Sequence, residues 1–182
     1  MRRSATLLAL TLAAAAAGCA PNDSASAPEE LVLPVYAVGH DSRNFVSPLS
    51  GDEEVPPVAT QARGNAVFHL SKDGQSLEYK LIVTGLENVT QSHIHIAPKG
   101  ANGPVVVFLF GFVAGGVTEN GVLAQGTITQ ANLIPRPAIG FGATMPELLA
   151  AMRSGGAYVN VHTVAVPAGA IRGQIKEGGP TK

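Results

Sequence analysis

The sequence predicts an all-β fold, an antiparallel β-sandwich with one short helix. Three observations predict it. About eight short stretches alternate polar and aliphatic residues with a period of two, as half-buried strands do. Turn signals separate them at regular spacing. Among 182 residues there are 21 Gly and 13 Pro, a usage that favours many turns and short strands over helices.

In chain order, residues 1–18 read as a signal peptide. Arg2 and Arg3 supply the charged start, and Leu7 to Ala17 an apolar run too short to span a bilayer as a permanent helix. Ala16-Ala17-Gly18-Cys19 then resembles the lipobox of bacterial lipoproteins, with Ala16 where Leu is usual. That resemblance implies that Cys19 is acylated, as by palmitate, and becomes the mature N-terminus. The protein would then sit in the cell envelope, lipid-anchored to a bacterial membrane on its periplasmic or surface face. An acyl chain contributes about 0.8 kcal/mol per buried methylene, so stable anchoring takes more than one. Cys19 is the only cysteine, so no intrachain disulfide is available and stability must come from the core.

Residues 19–43 read as a flexible tether, small and polar from Pro21 to Pro28. Leu31 to Val38 is more apolar, but Pro34 restricts it to an edge strand at best. His40 falls here as a solvated residue. The domain spans residues 44–176, and 177–182 read as a frayed tail. Gly64 to Leu70 predicts a strand with Ala66, Phe68 and Leu70 inward. Lys72-Asp73-Gly74 is a turn, and Leu77 to Val83 a second strand of the same hairpin. Thr84 to Asn88 reads as another turn before the strand His93-Ile94-His95-Ile96. Val105 to Phe110 is apolar throughout, which predicts core burial or cover by a partner. Val122 to Thr129 is a strand with Gly126 as a candidate bulge. Met145 to Arg153 is the one helix, capped by the Thr144/Glu147 box and ended by Gly155-Gly156. Tyr158 to Thr163 and Ile171 to Ile175 close the domain as a hairpin.

Charged residues are 14% and the net charge is −1. There is no basic footprint for nucleic acid and little steering toward any charged partner. There is no Trp, no Gly-x-Ser-x-Gly elbow, and no third glycine after Gly140 and Gly142 to make a dinucleotide fingerprint.

Glu54-Val-Pro-Pro-Val58, Ala66-Val-Phe68, Leu77-Glu-Tyr79, Ser92-His-Ile-His95, Asn102-Gly-Pro104, Gly126-Thr-Ile128, Tyr158 to Thr163 and Ile171 to Ile175 occur in the order of the CHRD domain, which the chain resembles. That family was named from chordin, an extracellular antagonist of bone morphogenetic proteins, and occurs alone in many bacterial exported proteins. The resemblance covers about Asn44 to Lys176. It implies an immunoglobulin-like sandwich and attaches no general catalytic activity. Near the end the family usually has Gly-Glu-Ile-Arg-Gly, and Ala170 stands here for that Glu, so this carboxylate is absent.

The chemistry on offer centres on histidine. Period two puts His93 and His95 on one face, and Tyr158, Asn160 and His162 on one face of the closing hairpin. If the two strands meet, three imidazoles converge, a donor set that suits one zinc or copper ion. Asn160 and Gln174 are candidate partners for the ring N–H groups. The competing reading is a polar cluster in which each ring is satisfied by backbone, Tyr158 or Asn160. A dinuclear site of the superoxide dismutase kind needs more ligands than the five histidines offer. Arg172 reads either as a fixed guanidinium holding Glu53 or Glu54 or as a strand-surface residue. Asp52-Glu53-Glu54 reads as a solvated turn rather than a calcium site. Two functions follow. One is a non-enzymatic binding or structural module at the membrane, with an extracytoplasmic protein partner. The other is a mononuclear copper- or zinc-binding protein using His93, His95 and His162.

Overall fold

The computed structural model describes residues 42–179. Cys19, the leader, the tether up to residue 41, Leu31 to Val38 and His40 lie outside the described residues. So do the last three residues of the tail.

Among the described residues, eight strands and one α-helix follow in order. They are β1 (Asn44–Ser50), β2 (Arg63–Leu70), β3 (Ser76–Ile96), β4 (Val105–Phe110), β5 (Val117–Thr129), α1 (Met145–Arg153), β6 (Ala157–Thr163), β7 (Ile171–Gln174) and β8 (Lys176–Glu177). The all-β class with one short helix is borne out. The strands are joined in one continuous antiparallel sheet in the order β2–β1–β7–β6–β3–β4. Because β2 also pairs with β3, the sheet closes on itself. β5 lies along β3, and β8 pairs with β1 at Phe45 and Val46. Glu177 and Gly178, read as tail, are therefore tied down, and Gly178 N–H donates to the Asn44 carbonyl at 2.7 Å.

Closure depends on β3. Its first half lies between β2 and β5, and its second half between β4 and β6. The predicted turn at Thr84 to Asn88 is a bend inside this one strand. Gly85 and Asn88 take φ of 71° and 51°, and the register against β5 shifts on both sides of Leu86. Left-handed residues of this kind normally end a strand. Here pairing resumes beyond them, so the turn chemistry is spent on bending the strand across the core. Gly126 is regularly paired with Tyr79 rather than bulged. It lacks a side chain where the Tyr79 ring lies, 3.1 Å from the place a Cβ would take.

The alternating pattern decides which face is inside. Phe45 and Leu49 of β1, Ala66 and Phe68 of β2, and Leu77 and Leu81 of β3 are buried together. Ile94, Val159, Val161 and Ile171 continue the same core. Helix α1 covers one end with Met145, Leu148, Leu149 and Met152. Its capping box is made as the sequence predicts, with Thr144 N–H donating to Glu147 Oε2 at 2.9 Å. Fully burying one such aliphatic side chain contributes about 1.5–3 kcal/mol.

Candidate metal centre

The site lies on the face of the sheet turned away from that core. Ile94, Val159 and Gly173 stand opposite one another on β3, β6 and β7, and Ile94 and Val159 point into the core. One residue on, the row His93–Asn160–Arg172 must face the other way. The next such row is His95–Tyr158–Gln174. His162, opposite Gln91, shares the face. A polar row on an outer face would normally meet water. Here loops roof it, and His93, His95 and His162 are only 3%, 7% and 7% exposed.

The structure brings these three rings together, with one potential ligand atom from each lying within 4.8 Å of the others. Hydrogen bonds fix how they point. A carbonyl oxygen only accepts, so the ring nitrogen facing it carries the proton. His95 Nδ1 donates to the Gly103 carbonyl at 2.8 Å, and His162 Nδ1 to that of Pro167 at 2.8 Å. In both neutral rings Nε2 is then a bare lone pair. His162 Nε2 accepts from His93 Nδ1 at 3.1 Å. This leaves His93 Nε2 as a third lone pair, buried and without a hydrogen-bond partner. The edge contact of Phe108 on the His93 ring, with centroids 4.6 Å apart, helps keep water out.

The other predicted residues divide. Asn160 belongs to the cluster, with Oδ1 3.0 Å from His95 Nε2. Two acceptors face each other there unless Asn160 turns its amide to present Nδ2. Tyr158 stacks on His95 at 4.8 Å, and the Arg172 guanidinium lies 3.9 Å over the other side of the system, on the Tyr158 ring. Arg172 is buried and donates to Asn102 Oδ1 and the Ala101 carbonyl, both at 2.9 Å. It does not hold Glu53, which pairs with Lys99 at 2.8 Å. Gln174 does not reach the imidazoles. Its amide donates to the Ala97 and Gly155 carbonyls, so it fastens loops.

A family model for the CHRD domain matches residues 45–175. The chain belongs to the CHRD-domain family. No curated protein matches it. The match spans β1 to the end of β7, so the three histidines of this CHRD domain come from within the family's own segment.

Burial decides the charge state of the CHRD domain's rings. It pushes the His93 imidazole down to about 3, and the neighbouring His162 and His95 push the same way. Burial also lowers His95 and His162, each partly opposed by its carbonyl hydrogen bond. All three are neutral at pH 7, the form that binds metal. Zinc takes nitrogen ligands at about 2.0–2.1 Å, so donors around one ion stand roughly 3.3–3.6 Å apart. From the outer limit of 4.8 Å the widest pair must close by roughly 1.2–1.5 Å for that geometry.

Sequence reasoning named Glu54 only as a carboxylate that Arg172 could hold and missed its burial. Read as part of a solvated turn, it is 5% exposed, with Oε1 buried and unpartnered. Burial raises its carboxyl to about 7, against the lowering effect of Arg172. Its position at the edge of Val55-Pro56-Pro57 was the available signal, because it alone of the three acids borders an apolar run. The Gly103 and Pro167 carbonyls carried no signal, since any residue supplies one.

Proposed function

We propose that this CHRD domain is a non-enzymatic binding module carried outside the cytoplasm on a lipid tether at Cys19. The species it binds is a single copper or zinc ion held by His93, His95 and His162. We read its rolled sheet as an immunoglobulin-like sandwich whose two layers share β3. The tether reading rests on the charged start, the apolar run and the cysteine that follows it.

The observation that carries the metal reading is the fixed orientation of the rings. Carbonyls hold Nδ1 of His95 and His162 and turn both Nε2 atoms inward. Outer hydrogen bonds of this kind set tautomer and raise basicity in histidine metal sites. The competing polar-cluster reading leaves the buried His93 Nε2 unsatisfied, at a cost of about 1–3 kcal/mol. A metal ion bound through Nε2 would occupy that lone pair. Three protein ligands leave a further coordination position for water or a small ligand.

The test is elemental analysis of protein purified without a histidine tag. About one copper or zinc per chain is expected in the wild type and none in His93→Ala. A wild-type protein that neither retains nor takes up either metal would overturn the reading. Labelling with palmitate, lost in Cys19→Ser, tests the tether separately.

A further inference from the structure

The three donors are all neutral, and this raises the question of what balances the charge of an ion among them. Burying an uncompensated charge is costly, and the cost grows with the square of that charge. A divalent ion therefore needs a nearby anion far more than a monovalent one does. Arg172, buried and cationic on the same face, adds to the need.

Glu54 is placed to answer it. Gly169 has φ of 136°, and a Cβ there would lie 2.7 and 2.9 Å from the two Glu54 oxygens and 3.0 Å from Asn160 Nδ2. The carboxyl and the amide thus share one small notch that exists because residue 169 has no side chain. The opposite end of the Asn160 amide meets His95 Nε2 at 3.0 Å. Beyond Asn160, across the same notch, lies a carboxyl whose Oε1 is buried and has no hydrogen-bond partner.

We propose that Glu54, acting through Asn160, is the counter-charge of the three-histidine site and makes that site prefer a divalent over a monovalent ion. The inference rests on the metal reading above. When His95 gives Nε2 to an ion, Asn160 is released from it and its Nδ2 is free to donate to the Glu54 carboxylate. Glu54 is a positioning and charge-balancing residue rather than a ligand. Its carboxyl is held near the protonated form in the metal-free protein, so Gln is a close mimic and Glu54→Gln is expected to fold.

The test uses the full chain stripped with a chelator, with zinc(II) alone and silver(I) alone as probes. Losing an outer partner of this kind costs about 10–100-fold in metal affinity. Glu54→Gln is expected to lose that much for zinc while silver(I) affinity stays within about twofold. Unchanged zinc affinity would overturn the proposal. An equal loss for both ions would also overturn it, because it would mean damaged structure rather than lost charge. If Glu54→Gln does not fold, Glu54→Asp keeps the charge and must keep the zinc preference. Its loss there would overturn the proposal as well. His93→Ala separates the two levels of inference. It should lose both ions, and wild-type binding by that variant would remove the three-histidine site itself, whatever Glu54→Gln does.

Discussion

His93 Nδ1 and His162 Nε2 lie 3.1 Å apart although their residues are 69 positions apart in the chain. The contact exists because β3 and β6 pair in a register that sets His93 opposite Asn160 and Gln91 opposite His162. A metal ion recruited there would bind the folded chain and not the unfolded one. Ligand at 100 times its dissociation constant stabilises by about 2.7 kcal/mol. For a domain of this size that is a rise in Tm on the order of 10 °C. His162→Ala should fold but show little rise with zinc, and calorimetry with and without the ion checks it.

The metal-free protein should be acid-sensitive. The histidines titrate below their ordinary value of 6.5 when folded, His93 at about 3. Between these limits the unfolded chain binds more protons than the native one, so stability falls as pH falls from about 6.5 toward 3. Each such group contributes a slope of up to about 1.4 kcal/mol per pH unit. Glu54 acts in the opposite sense. Its folded value of about 7 lies above 4.5, so its contribution is present below 4.5 and is lost as pH rises toward 7. With three histidines against one carboxyl, acid destabilisation should win. Denaturant midpoints from pH 7 to 4 should drop more steeply in the wild type than in His93→Leu.

Much of this was legible in the sequence. Ala66, Phe68 and Leu70 face inward as their alternation predicts, and Thr144 and Glu147 form their box, because both patterns are local. The convergence of His93, His95 and His162 was legible as a condition, since period two fixes each face but not which strands meet. What remained hidden was tertiary. Gly85 and Asn88 look like a turn and act as a bend, because strands on either side hold β3 together. Gln174 shares a face with the histidines, but loop carbonyls claim its amide. Glu54 looks solvated until the roof closes over it.

The helix cap gives a prediction that separates fold from site. Thr144 Oγ1 accepts from Glu147 N–H at 3.4 Å while the Glu147 carboxylate takes Thr144 N–H at 2.9 Å. Caps of this type contribute about 1 kcal/mol. Thr144→Ala should lower stability by about that much and leave zinc affinity unchanged, as paired denaturation and titration would show.

Closure of the sheet gives the most severe expected lesion. Gly173 lies where β7 passes β1, and Ser47 Oγ donates to its carbonyl at 2.6 Å. A Cβ on residue 173 would fall 1.9 Å from the Pro48 carbonyl oxygen. Contacts that short are not tolerated, and the obstacle is backbone, so one of the two strands must move. Gly173→Ala should cost about 3 kcal/mol or more. Because Arg172 and Gln174 flank it on the face of the histidines, the displacement should also loosen the roof. Gly126→Ala is the control, since its neighbour at 3.1 Å is the Tyr79 side chain rather than backbone. Chemical denaturation should rank Gly173→Ala as far more damaging. Protection of the His93 and His95 amides from hydrogen exchange should fall in that variant and persist in Gly126→Ala.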